Sequence, residues 1–294
     1  MCFGNDGKAA LASSLQRRGI DRRTFLRTVA GGALAAGVLT PAGAAVAAPA
    51  PRGVVPRGAI SIQMFTLRSL AESNLEPVLA GLQEDGYGRV ELAGYYGRTA
   101  AQMQSVLSSF GISGSSSHDG IGNLDAKIDN ALTLGQRFIV VPFLASNAKA
   151  DWQRWASEMN TEAAAARAAG LRYGYHNHAH EFTTDLGGGE TPWDVLMAEL
   201  DPDLVHLEVD LYWAVTGGQD PVELIDSVPL QVLQYHVKDR RADGFFADPG
   251  TGTIDFARIF KAHAVREYIV ENDQPADPMV TAQVGYDYLR TLRF

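Results

Sequence analysis

Two rhythms alternate along the chain. Short β-branched and aromatic runs are separated by longer segments with apolar residues every three or four positions. The short runs, each predicted as a strand, lie at 60–66, 88–95, 112–118, 137–144, 172–178, 205–212, 232–238 and 268–272. The longer segments, each predicted as a helix, lie at 75–85, 99–110, 124–134, 152–169, 193–199, 222–225, 256–263 and 279–292. Within 75–85, Leu75, Val78, Leu79 and Leu82 share one helical face, as do Met103, Val106 and Leu107 within 99–110. Thr99, Asn123, Asp220 (before Pro221) and Asp255 stand where N-caps belong. Gly86, Gly111, Gly135 and Gly170 stand where helices end before the next strand.

Eight β–α alternations in residues 59–294 predict an α/β protein whose parallel sheet closes into a single (β/α)8 barrel. A doubly wound sheet would need a glycine-rich phosphate loop after its first strand. The stretch MFTLRSLAES at 64–73 has none.

Residues 1–58 follow another pattern. DRRTFLR at 21–27 precedes a small-residue apolar run at 29–39 and then AGAAVAAPA. A charged start, an apolar run too short to span a bilayer and an A-x-A-like zone describe a signal peptide. Arg22–Arg23 with Phe25–Leu26 matches twin-arginine export, so residues 1–48 are expected to direct the chain to the periplasm or beyond. The alternatives are a general secretory signal or an anchor. Residues 49–58 are expected to be a linker.

Export changes the charge account. The whole chain is −9, and residues 1–48 hold six basic and two acidic residues, which leaves −13 for the rest. That surface argues against nucleic acid and against anionic membrane as partners. The single cysteine, Cys2, lies in the signal, so no thiol chemistry or disulfide is expected in the exported part.

Chemistry-bearing residues gather at the carboxyl ends of the predicted strands, where a barrel of this type places its site. They are Gln63, Glu91, His118, the stretch LRYGYHNHAHE at 171–181 with His176, His178 and Glu181, then Asp210, His236, Lys238 and Glu271. Each alone has an ordinary reading, such as an ion pair for Glu91 or a helix cap for Asp210. Strands buried on both faces are expected to be nearly continuous in apolar residues. Charges at their ends are costly unless paired or metal-bound. Carboxylates with one imidazole suit Mn, Mg, Co or Zn. Such a metal polarises a carbonyl, and a nearby His or Glu moves a proton at the adjacent carbon.

Asp210 in VDLYW, His236 in YHVKD, Glu271 in IVEND and the stretch YHNHAHEF resemble the sugar phosphate isomerase/epimerase superfamily, the xylose-isomerase-like TIM barrels. The resemblance runs from Ile60 to the C-terminus. It implies one divalent metal held by Asp210, His236 and Glu271. The family's fifth-strand Glu is replaced by His176-Asn177-His178, so either His176 or Glu181 completes the set; Glu181 is the choice. His176, His178, Lys238 and Glu91 then remain for catalysis, and His118, Trp213, Gln63 and Arg240 for substrate. Trp213 stands where the endonuclease branch has a zinc-binding His, which speaks against a nuclease.

The resemblance implies an isomerase or epimerase acting next to a carbonyl through a metal-stabilised enediolate. The alternative is a lyase or dehydratase on keto-sugars or 3-keto-glycosides with the same site. A non-catalytic sugar-binding barrel is the third reading. The partner is a small carbohydrate, with no stable membrane association after signal cleavage; a homo-oligomer stays open.

Overall fold

The computed structural model describes residues 53–294, so the expected signal peptide lies outside the described residues. Eight strands alternate with helices: β1 (Ile60–Ile62), β2 (Arg89–Leu92), β3 (Ser113–His118), β4 (Phe138–Val141), β5 (Arg172–His176), β6 (Val205–Asp210), β7 (Gln231–Val237) and β8 (Glu267–Val270). Each pairs in parallel with its neighbours around the ring, and β8 returns to β1 through Tyr268 opposite Ile60. A parallel bridge between Gln63 and Glu91 joins the β1 and β2 sides and closes the (β/α)8 barrel.

The main helices are α1 (Leu75–Asp85), α2 (Ala100–Ser109), α3 (Leu124–Leu134), α4 (Lys149–Ala168), α5 (Pro192–Glu199), α6 (Pro221–Ser227), α7 (Phe256–Ala262) and α8 (Pro278–Thr291). Thr99 closes a capping box with Gln102, and Asp220 and Asp255 accept from first-turn amides. Asn123 departs from expectation. It adopts a left-handed conformation with φ 50°, and its side chain caps nothing.

The apolar core is the ring between barrel and helices. Val90, Leu92, Ile139, Tyr173, Tyr175, Leu207, Val209, Tyr235 and Tyr268 belong to it, together with helical residues such as Leu79, Met103, Trp152 and Leu289. Full burial of one such side chain contributes about 1.5–3 kcal/mol.

The barrel interior breaks the expectation of apolar strands. Buried polar residues recur at every second position, His206, Glu208 and Asp210 on β6 and Gln234 and His236 on β7. Among the described residues, Phe138, Val140 and Leu233 form a separate apolar cluster. The strands are also shorter at their carboxyl ends than the apolar runs. The chain turns at Met64 after β1, and β5 ends at His176. The expected linker is tied to the barrel from Val54, which pairs with Arg293, while Val55 is buried in the core.

Candidate active site

Side chains alternate along a strand, so β6 and β7 aim Glu208, Asp210, Gln234 and His236 into the barrel. His236 reaches across to β2 and Glu208 across to β3, which confirms the inward direction. The imidazole of His236 is the hub, with a cluster at each of its nitrogens.

At Nε2 stand Glu91 Oε1 at 2.7 Å and Glu208 Oε1 at 2.9 Å. The same Glu208 oxygen lies 2.9 Å from His118 Nε2 and 3.2 Å from His176 Nδ1. Behind it, Glu91 accepts from Gln63 Nε2 at 3.0 Å and Ser116 Oγ at 2.7 Å. At Nδ1 stands Glu271 Oε2 at 2.6 Å. Asp210 joins His236 and Glu271 in a group whose ligand atoms lie within 4.8 Å of one another. His176 turns its Nε2 towards Asp210 Oδ2 at 3.7 Å.

Lys238 follows β7 and covers this second cluster. Its Nζ lies 2.9 Å from Asp210, 2.8 Å from Glu271 and 2.8 Å from Asp273. Burial opposes its charge, but the three carboxylates outweigh burial and hold the ammonium above its ordinary pKa. Lys238 therefore stays protonated and cannot serve as a base near neutrality. Burial would likewise discharge His236, yet Glu208, Glu271 and Glu91 push it well above the ordinary range. Glu208 is held low by the three imidazoles against the effect of burial. Burial, then the Glu208 carboxylate, lifts Glu91 to about 7. Burial and neighbouring cations push His176 down to about 3 and His178 to about 2, so both are uncharged.

The other sequence candidates separate by position. His178 lies beyond the end of β5, between Phe143 and Trp213, with ring centroids at 5.2 and 5.3 Å. Trp213 thus forms a wall of the mouth beside Lys238. Glu91 and Gln63 are fully buried behind His236. His118 stacks on His236 and faces Glu208. Arg240 lies apart, in a short ribbon with Phe246, and its Nε donates to Thr216. Glu181 belongs neither to the group Asp210, His236 and Glu271 nor to the second group that could hold a metal ion, His118, His176, Glu208 and His236. Its carboxylate accepts from Tyr175 Oη at 2.6 Å and from the His178 backbone N–H at 2.8 Å, and so fixes the loop. His176, the other option for the fourth position, is the one beside Asp210. Asp210 also accepts from Trp213 N–H, so it caps a short helix with one oxygen and faces the cluster with the other.

Glu208 and Asp273 were not singled out from sequence. Glu208 had a signal: it stands two residues before Asp210 on a strand, and period two puts both on one face. Asp273 lies beyond the β8 run, where no periodicity points.

The cluster at His236 Nδ1 suits a divalent metal. An imidazole nitrogen and a carboxylate oxygen 2.6 Å apart share a proton here, and a divalent cation could take that proton's place. The same carboxylate oxygens already draw an ammonium. Two carboxylates and two imidazoles are a donor set for Zn, Co or Mn.

The profile of the xylose isomerase-like TIM barrel family matches residues 58–272. An inosose dehydratase of Geobacillus kaustophilus is 30% identical over 169 residues, which cover 48% of this chain and 53% of that protein. The match thus spans about half the length of that curated relative. A sugar phosphate isomerase/epimerase structure from Parabacteroides distasonis superposes with TM-score 0.68 at 24% identity, over 79% of this chain and 94% of that one. The structure of an IOLI protein with a bound zinc atom superposes with TM-score 0.59 at 15% identity, over 78% of this chain and 95% of that one. Because the family match takes in all eight strands and the cluster they carry, the chain belongs to the xylose isomerase-like TIM barrel family.

Proposed function

We propose that this protein is a divalent-metal-dependent sugar isomerase or epimerase, which removes a proton from the carbon next to a carbonyl and returns it. The single observation that carries this reading is the group Asp210, His236 and Glu271, with His176 Nε2 3.7 Å from Asp210, at the carboxyl ends of four consecutive strands. These four residues would hold the metal. A divalent ion there supplies Lewis acidity to a substrate oxygen and so acidifies the adjacent carbon. Lys238, permanently charged, holds negative charge that develops on a substrate oxygen. His178 stands at the mouth beside Trp213, and its Nδ1 has no hydrogen-bond partner among the described residues, so it is the group placed to take the proton. Trp213 offers a flat apolar face for a sugar ring. Glu91 acts at one remove, through His236.

A second reading is favoured by the inosose dehydratase relatives. The same proton abstraction, followed by departure of a β-hydroxyl or β-alkoxyl group, makes the enzyme a lyase. Metal analysis of residues 53–294, beside Glu271→Gln, tests what both share. About one divalent ion per chain, lost in the variant together with turnover, supports the site. Isomer or cleaved product, from free ketoses and 3-keto-glycosides, then chooses between the outcomes. Absence of bound metal at every loading with sugar affinity intact overturns both enzyme readings.

Export by the twin-arginine route is part of the proposal. Its support is the 21–27 motif, followed by the small-residue apolar run at 29–39. An Arg22→Lys, Arg23→Lys double variant of the full chain is expected to stay in the cytoplasmic fraction. Undiminished export would overturn it.

A further inference from the structure

Glu208 contributes nothing to the open mouth. It is fully buried, and one oxygen, Oε1, faces three imidazole nitrogens: His118 Nε2, His176 Nδ1 and His236 Nε2, at 2.9, 3.2 and 2.9 Å. An ionised carboxylate only accepts, so each nitrogen that faces it must carry the hydrogen. The opposite nitrogens of two of these rings point elsewhere. His176 Nε2 faces Asp210, and His236 Nδ1 faces Glu271.

We infer that Glu208 is a positioning residue that fixes the tautomer and ring orientation of both histidines of the metal group, His176 and His236, by accepting their outer N–H groups. This rests on the metal reading above for its consequence, though not for the geometry. His236 Nε2 has a second acceptor in Glu91, so its ring is held twice. Nδ1 of His176 has Glu208 as its one hydrogen-bond partner among the described residues, so His176 is the sensitive ring. The β6–β7 pairing skips Leu233 of β7 between Leu207 and Glu208, so the extra residue lies on β7, and Glu208 keeps the regular alternation of β6 that puts it on the same inner face as Asp210. One strand thus supplies a ligand, Asp210, and two residues earlier the carboxylate that orients the ligands of the strands on either side.

Partners of this kind hold metal affinity by 10–100-fold. The test compares metal-free wild type with Glu208→Leu and Glu208→Gln by long-range proton–nitrogen correlation of ¹⁵N-histidine, then measures zinc affinity by chelator competition and the visible absorption of the cobalt form. Wild type is expected to show His176 with its hydrogen on Nδ1. Glu208→Leu is expected to release it to the Nε2–H form, to lose zinc affinity by about 10–100-fold, and to change the cobalt bands. Circular dichroism checks folding, and if the Leu variant fails to fold, Glu208→Met, which also lacks an acceptor, decides, while the Gln variant, whose amide oxygen still accepts, should keep the His176 hydrogen on Nδ1. An unchanged His176 tautomer with wild-type zinc affinity overturns the inference. Failure of wild type to take up zinc or cobalt removes the metal reading of function, and the tautomer comparison still decides the role of Glu208.

Discussion

Lys238 shows how far one side chain can hold a site together. Its ammonium is almost wholly buried and touches three carboxylates, Asp210, Glu271 and Asp273. Replacement by methionine keeps the volume and leaves those acids without a cation. Breaking a buried ion group from one side typically costs about 3–5 kcal/mol, so metal-free Lys238→Met should unfold at clearly lower denaturant than wild type. Zinc should then restore more stability to the variant than it adds to wild type, because the acids regain a cation. Urea melts with and without zinc measure both effects; an equal zinc increment in the two proteins would contradict this account. Activity should fall about 100-fold or more, the loss of a preorganised charge at a developing oxyanion. The site was legible in sequence where charges stand at strand ends, as for Asp210, His236 and Glu271. Glu208 escaped because a carboxylate inside a β-rich run is normally excluded from a barrel. Here three imidazoles offset the cost of burying it. Sequence leaves His176 and Glu181 as alternatives for a fourth ligand, since spacing alone does not show where the turn after β5 sends the Glu181 carboxylate, which is to Tyr175.

The alternation of elements was readable because each strand run is separated from the next by a helical segment with its own cap or glycine stop. The limits of α1 and α3 coincide with their predicted spans. The strand ends differ because apolar and polar residues beyond the last ladder bond serve the mouth, and periodicity does not see hydrogen bonds. Two elements carry predictions. On β5, Gly174 opposes His206 of β6, and a Cβ there would sit 2.5 Å from His206 Cε1 and 2.6 Å from its Nε2. The glycine makes room for a neighbouring imidazole, since its φ is ordinary. Gly174→Ala should destabilise by about 1–3 kcal/mol, and His206→Ala in the same chain should remove most of that penalty in a double-mutant cycle. Full additivity would show that the two residues do not share the space. Behind β5, Glu162 of α4 pairs with Lys127 of α3, accepts from Tyr173 Oη at 2.7 Å, and accepts from Gly122 N–H at 2.7 Å. That network ties the loop after His118 to two helices. Glu162→Gln leaves a buried ammonium unpaired and should cost about 3 kcal/mol, read as a lower urea midpoint at unchanged slope. A midpoint equal to wild type would mean that the pair contributes nothing net.

At the scale of the whole molecule the strands present a second, quieter pattern. Tyr173, Tyr175, Tyr235 and Tyr268 all point outward from the barrel into the ring of helices and are essentially inaccessible. Burial pushes the phenol of each above its ordinary value of 10.0. The half-buried Tyr95 and Tyr288, nearer the surface, are pushed up to about 12. In the unfolded chain these groups ionise near 10, whereas in the folded barrel they do not. The folded pKa lies above the unfolded one, so the stability these groups confer is complete below pH 10 and is lost as pH rises beyond it. Each such group removes about 1.4 kcal/mol per pH unit while its folded pKa lies above the pH, so Tyr173, Tyr175 and Tyr235, the most strongly shifted, together remove about 4 kcal/mol per unit. A domain stable by about 5–15 kcal/mol should then unfold within about one to four units above pH 10. The tyrosinate absorbance of the four inner rings should therefore rise in one cooperative step that coincides with loss of helical circular dichroism. Smooth titration of all tyrosines near pH 10 with the dichroism intact would show that the rings are accessible, and that the outer core is looser than its packing implies.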